Sequence, residues 1–427
     1  MKRRSLMKRM GRIIWVSLVL TATILSFSNI SYSQTASKKK WITFGLICPR
    51  TGPVAEVGEY LVRGTELAVE EVNTKWNPPE GGLLIKGERY YVKYEPYDDE
   101  ADPSKSVAGF RKLVEMYHVP FINGPLGTPH SWAVMPVSKD LKTGFIAHSA
   151  SDKTHRMGNP YLLLGRVPNQ YFGAPMAKAA MDRGWKKFAV CSDVSDAWLS
   201  LAKEFRAEME KLGGTYIGME VVDTKTIFDY RSIMTGFKAK NADVIFLSGY
   251  PEPIGTMVSH AREVGYKGQF MACNNFTQLA IKFAGLENSI GTLVETFYSS
   301  YCLNHPEADK NGAVTYLSNI FKKKYPGVPF HDLVSENWTA VLTWLKGMEI
   351  AGTATDSPSI RKALNEATKQ IQRQITYPRD GVLNSGQLIG AIEFLCEVQR
   401  DGSFKKVGEM TIPIEKLKEY PIDAPSK

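Results

Sequence analysis

From residue 41 onward the chain alternates between two hydrophobic patterns. Short apolar runs rich in Ile, Val, Phe and Tyr occur at 41–47 (WITFGLI), 90–97 (YYVKYEPY), 143–147 (TGFIA), 187–191 (KFAVC), 215–222 (TYIGMEVV), 243–248 (DVIFLS) and 269–272 (QFMA), and they read as strands. Between them, apolar residues recur at helical spacing with charges on the opposite face. Examples are Val57, Leu61, Gly64, Leu67, Ala68 and Val72, and then Leu201, Phe205, Met209 and Leu212. Strand alternating with helix predicts an α/β fold with parallel sheets covered on both faces.

The alternation runs once to about residue 150 and again from about 185 to 297, which predicts two doubly wound lobes. The Pro- and Gly-punctuated stretch GNPYLLLGRVPNQYFG, 158–173, is the expected passage between them. The expected domains are a first lobe over 40–165, to which 298–388 returns, and a second over 166–297, to which 389–427 returns. The returning segments contain the helical SENWTAVLTWLKGMEIAG and a final hairpin in which AIEFLCEVQ turns at Asp401 and Gly402 into SFKKV. About 390 residues beyond the leader also exceed what one hydrophobic core usually spans.

The first 33 residues read as a signal peptide. Lys2, Arg3, Arg4, Lys8, Arg9 and Arg12 precede an apolar run from Ile13 to Phe27, followed by small residues around Ser31 and Ser33. That run is shorter than the ~18 residues a spanning helix needs. No cysteine follows it before Cys48, so lipid attachment is not expected, and the mature product should be soluble and periplasmic. RRSLMK also resembles a twin-arginine signal, an alternative to ordinary secretion. Removing the six basic residues of the leader lowers the net charge from +9 to +3. The basic balance is therefore a property of the leader, and no Lys/Arg stripe interleaved with aromatics argues for nucleic acid.

The five cysteines, Cys48, Cys191, Cys273, Cys302 and Cys396, are widely spread without metal-ligand spacing and read as small core residues. No phosphate-binding loop, GxGxxG turn, GxSxG elbow, HExxH helix or EF-hand loop is present. No metal or cofactor is expected. Asp98, Asp99, Glu100 and Asp102 form an acidic run that lacks the turn glycine and distal Glu of a calcium loop, and it reads as a solvated strand end. His148, beside a strand end, reads as structural.

In doubly wound sheets ligands bind beyond the carboxyl ends of the strands. The segments to inspect are therefore Cys48 to Pro53, Gly124 to His130, Ser149 to Ser151, Ser192 to Trp198, Ser248 to Tyr250, and Cys273 to Asn275. Three stretches in this set resemble the branched-chain amino acid binding family, the type I periplasmic receptors of ABC transporters. GLICPRTGPVAEVGEYLVRGTELAVEEVN is similar to that family's opening strand and helix. The glycines at 81–87 followed by YEPYDDEADPSKSV resemble its next passage, and SGYPEPIGTMVSHAREVGYKGQFM resembles its second-lobe signature. The likeness spans about Ile42 to Phe404.

The resemblance implies two lobes joined by three crossovers and closing on a small ligand, with no catalysis, and with a membrane permease as partner to a monomeric receptor. It implies that Ser149 and Ser151, with Thr128, hold a ligand carboxylate through hydroxyls and backbone amides; capping of the next helix is the alternative for these serines. It places Tyr250 against the ligand. Where the family often carries another tyrosine, Ala197 is followed by Trp198, which implies a remodelled wall. At the strand end where amino-acid receptors supply an acid for the ligand ammonium, this chain has Asn274.

An ammonium desolvated without its countercharge is strongly disfavoured, whereas an amide suits a hydroxyl or carbonyl. The reading is therefore a receptor for a small carboxylate lacking an α-ammonium, an aromatic or other organic acid given Trp198, Tyr250 and Phe276. An amino-acid receptor is the alternative, with Glu252, Asp193 or Asp196 as a displaced negative charge. Arg50 could face the cleft or solvent. An exported enzyme on this scaffold would need a nucleophile with its base, or a metal, at the strand ends, and a sensory module would need a fused signalling segment; neither is evident.

Overall fold

Strand ranges follow the runs of β-branched and aromatic residues. The computed structural model describes residues 39–52, 54–371 and 392–411; the leader, the crossover expected near 388 and the tail from 412 lie outside these. The first sheet comprises β1 (Lys40–Cys48), β2 (Leu83–Ile85), β3 (Glu88–Asp98), β4 (Phe121–Leu126), β5 (Gly144–His148) and β6 (Leu162–Leu164), in the order β2-β3-β1-β4-β5-β6. The second comprises β7 (Lys187–Asp193), β8 (Thr215–Val222), β9 (Val244–Ser248), β10 (Gln269–Ala272), β11 (Leu293–Phe297), β12 (Ile392–Val398) and β13 (Phe404–Thr411), in the order β13-β12-β11-β10-β9-β7-β8.

The pairs β1/β4, β4/β5 and β5/β6 are parallel, as are β7/β8, β7/β9, β9/β10 and β10/β11. Their apolar runs are largely buried, β5 and β9 along their whole length, as helices on both faces require, whereas the edge strand β8 is mostly half-buried or exposed. The sheets are mixed rather than wholly parallel. β2 and β3 form an antiparallel hairpin, and β12 returns antiparallel to β11 before turning into β13.

Four strands carry too little pattern to be read in advance. β2 and β6 have three residues each, the short β11 (LVETF) is interrupted by Glu295, and β4 contains Gly124 and Pro125, which break a strand signature. Gly124 sits at φ +104°, and a Cβ there would come within 2.0 Å of the Ile47 carbonyl oxygen, so only glycine lets β4 pass β1 at this point.

The helix Asp332–Ala351 packs on the first sheet and is buried on nearly every face. Gly64 of the helix Ala55–Lys75 lets it approach closely, since a Cβ at Gly64 would sit 2.7 Å from the Val334 carbonyl. Trp344 stacks on Phe121 at 5.5 Å. Asn337 is the polar anchor: its amide donates to the Leu61 carbonyl at 2.6 Å and to Thr65 Oγ1 at 2.9 Å, and its Oδ1 accepts from Asn123 Nδ2 at 2.9 Å. His148 Nε2 completes the network, donating to Asn123 Oδ1 at 3.0 Å. Burial lowers the His148 pKa to about 3, with Arg166 pushing the same way, so the ring is neutral.

The acidic run is a solvated strand end only in part: Glu100 is exposed and Asp98 and Asp102 are half-buried, but Asp99 is not solvated. Asp99 is fully buried, accepting from Ser106 Oγ at 2.6 Å and from the Ala101 amide at 3.1 Å. Asp98 accepts from the Arg50 amide and Thr51 Oγ1, and Asp102 caps the helix Pro103–Glu115. All five cysteines are buried and free. Among the described residues no helix is long and apolar enough to cross a membrane.

Replacing Asn337 with Ala strands the Leu61 carbonyl, Thr65 and Asn123 in a dry interior. The expected outcome is a loss of about 2–4 kcal/mol in urea unfolding with an unchanged denaturant slope.

Candidate ligand-binding cleft

Strand ends of the second sheet and the start of the helix Asp332–Ala351 face one another across a cavity of about 870 Å³. Trp198, Tyr250 and Asn274 line it from the second sheet, each just beyond the carboxyl end of β7, β9 or β10. Trp198 and Tyr250 meet edge to face at 6.1 Å and 78°, with Trp198 buried and Tyr250 exposed to 42 %. Phe276, Phe297, Tyr301 and Phe330 extend this aromatic wall. Val57, Arg166, His331, Asp332 and Glu336 also line it.

Thr128, Ser149 and Ser151 do not line this cavity. Thr128 Oγ1 and Ser149 Oγ are 3.0 Å apart, and Ser149 Oγ is 2.6 Å from Thr154 Oγ1. Ser151 Oγ donates to Asp196 and accepts from the Lys153 amide at 3.2 Å, so it caps the short helix Lys153–Arg156. Buried hydroxyls must find partners, and these find one another and their own helix start. The implied carboxylate cradle is thus spent on internal bonds.

The candidates for a displaced negative charge are engaged elsewhere or stand apart. Asp193 accepts from Ser195 and Thr224, Asp196 takes the Ser151 hydroxyl, and Glu252 is not among the lining residues. Arg50 also lies outside the cavity, half-exposed, with its Nε 3.7 Å from Glu59.

The charged groups of the cleft are ones the sequence did not single out. Arg166 directly follows Gly165 at the end of β6. Its Nε lies 3.6 Å from Glu336 Oε2, and its guanidinium is 5.7 Å from the centre of the Phe297 ring. Arg166 Nε and Glu336 Oε2 are buried, and neither has a hydrogen-bond partner. Burial raises the Glu336 pKa to about 7, partly offset by Arg166. Asp332, by contrast, is well supplied, accepting from the hydroxyls of Ser299 and Ser300 and from the Ser300 amide at 2.9 Å.

Behind Asn274 lies a second acidic pair. The Asn274 amide donates to Glu295 Oε1 at 3.4 Å. Glu295 of β11 and Glu393 of β12 are neighbours on paired strands; burial raises Glu295 to about 7, and burial with the Glu295 charge beside it raises Glu393 well above its ordinary value. Two buried carboxyls so placed disfavour simultaneous ionisation. The rule of strand ends would have found Arg166 had the three-residue β6 been legible. Glu336 sits in a helix where polar and apolar residues are mixed, so no pattern in the sequence marks it as facing a cleft, and Glu393 at the start of a strand whose partner is not apparent until the sheet forms. Among the described residues no group of three His, Cys, Asp or Glu side chains could hold a metal ion.

The family model described as "Periplasmic binding protein" matches residues 41–390. The Leu/Ile/Val-binding protein homolog 3 of Brucella melitensis is 28% identical over 378 residues, covering 87% of this chain and 94% of that protein. Among solved structures, LivJ of Streptococcus pneumoniae in complex with isoleucine superposes with a TM-score of 0.69 at 18% identity, covering 87% of this chain and 99% of that one. A solute-binding protein of an ABC transporter from R. palustris, in complex with 4-hydroxybenzoate, gives 0.68 at 19% identity, covering 88% and 99%. At these identities the structures speak for the fold alone. The match of the family model over most of the chain, on two mostly parallel sheets facing a shared cleft, makes this chain a member of the periplasmic binding protein family, whose members are solute-binding receptors.

Proposed function

We propose that this protein is the exported receptor of an ABC importer for a small carboxylate and delivers it to a membrane permease. In this reading Arg166 takes the solute's carboxylate, and Trp198, Tyr250 and Phe276 enclose its body. The observation that carries the reading is Arg166 itself. Among the described residues lining the cavity it is the only Lys or Arg, and its Nε is buried without a hydrogen-bond partner. A guanidinium pairs with a carboxylate through two parallel N–H···O bonds, which fixes orientation as well as charge. The aromatic wall and the amide at Asn274 favour an aromatic or other organic acid, the class represented by 4-hydroxybenzoate in the R. palustris structure.

An amino-acid solute is the second reading, and a specific observation favours it. Glu336 places a carboxylate in the same cavity as Arg166, so a zwitterion could meet one charge with each of its own. The curated relatives named as Leu/Ile/Val-binding proteins point the same way.

Thermal unfolding of the purified mature protein against a panel separates the two. Benzoate-type and aliphatic acids are expected to raise the melting temperature, a ligand at a hundred times its Kd adding about 2.7 kcal/mol; a response confined to leucine, isoleucine or valine selects the second reading. Arg166→Gln should weaken binding of the responding carboxylate by about 2 kcal/mol or more, roughly thirtyfold, in calorimetric titration. Unaltered affinity would remove Arg166 from the site.

A further inference from the structure

One guanidinium stands among three buried carboxyl groups that come from separate parts of the fold. Arg166 follows β6, Glu336 rises from the helix Asp332–Ala351, and Glu295 and Glu393 project from β11 and β12. Glu336 is the carboxyl that touches Arg166, at 3.6 Å, and both line the cavity. One oxygen each of Glu336, Glu295 and Glu393 is buried without a donor. Among the described residues lining the cavity there is no second Lys or Arg. Asp332 and the neutral Asn274 complete the acidic side, and the imidazoles of His331 and His148 face Arg166 with proton affinities lowered by burial. A solute carboxylate bound to Arg166 would therefore add a negative charge to a site whose carboxyls already outnumber its cation.

We propose that Glu336 is the specificity-determining residue of this cleft: it competes with an incoming carboxylate for Arg166, so that binding of an anionic solute is coupled to uptake of a proton by the surrounding carboxyl groups. The inference rests on the reading of Arg166 as the carboxylate seat.

The physical sequence is short. When Glu336 is protonated it releases Arg166 as a cation free to take the solute. When ionised, it holds Arg166 itself, and the solute must displace it into a low-dielectric wall where the negative charge has no other partner. Burial brings Glu336 and Glu295 to pKa values of about 7, so this exchange falls in the range where such a receptor works. Affinity for an anion is greatest below that range and falls as pH rises through it, by up to about tenfold per pH unit for one linked proton. A solute that also carries an ammonium brings its own countercharge for Glu336, and its binding has little pH dependence. Glu336 thereby sorts solutes by net charge.

The test is calorimetric titration of the full mature protein with 4-hydroxybenzoate and with isoleucine between pH 6 and pH 8, in wild type and in Glu336→Gln. The expected result is a 4-hydroxybenzoate Kd that rises steeply with pH in wild type, a much flatter and tighter Kd at pH 8 in Glu336→Gln, and a nearly level profile for isoleucine. Titration of wild type at pH 7 in two buffers of different ionisation enthalpy reads the proton directly, and it decides the question even if the variant does not fold. A net proton taken up with 4-hydroxybenzoate supports the inference and none overturns it. Binding that requires Arg166 yet keeps the same pH profile in Glu336→Gln overturns the role of Glu336 and leaves the carboxylate reading standing. Absence of 4-hydroxybenzoate binding at millimolar concentration, or binding unaffected by Arg166→Gln, removes both.

Discussion

The helix Asp332–Ala351 is surrounded by protein on nearly every side, and a helix in that position must account for each polar side chain it carries. Asn337 and Glu336 are neighbours in sequence and so point about 100° apart around the helix. Asn337 turns toward the helix Ala55–Lys75 and β4, where Leu61, Thr65 and Asn123 satisfy its amide completely. Glu336 turns toward the cleft and finds only Arg166, at a distance too long for a good hydrogen bond. One residue locks the helix in place, and the other is left with unspent bonding capacity where a solute would sit. A buried polar group that is only partly satisfied is costly, which is why this pair marks the site more clearly than any motif.

The amide at Asn274 has a related explanation. Its side chain leans back onto Glu295, which neighbours Glu393 across the β11/β12 pair. An acid at position 274 would place a further negative group against two carboxyls whose ionisation burial already disfavours. The neutral strand end is thus matched to the acidic layer behind it, and the absence of a carboxylate at this one position does not make the cleft free of them.

The hydroxyls of Thr128, Ser149 and Ser151 show the same rule with the opposite result. They lie at the strand ends the topology singles out, but Thr154 and Asp196 satisfy them from within the protein. Ser151 follows β5 of the first sheet and Asp196 begins the helix after β7 of the second, so this bond joins the two halves directly. The open, underbonded part of the cleft lies instead between Arg166, Glu336 and the aromatic wall.

Periodicity alone determined the strand–helix alternation, the two sheets and the final hairpin, because burial on both faces writes an uninterrupted apolar run and helices against a sheet write a 3.6-residue period. The strand-end rule applied to those runs reached Trp198, Tyr250 and Asn274 for the same reason. It could not reach Arg166, since Leu162–Leu164 is too short to declare itself a strand, nor Glu336 and Glu393, which stand next to Arg166 only after chain segments about 170 and 230 residues apart are folded together. Which hydroxyls are already bonded, which acid is buried and which cation is free depend on distances between such segments. Those distances, and with them the charge of the cleft, were decided by the tertiary structure.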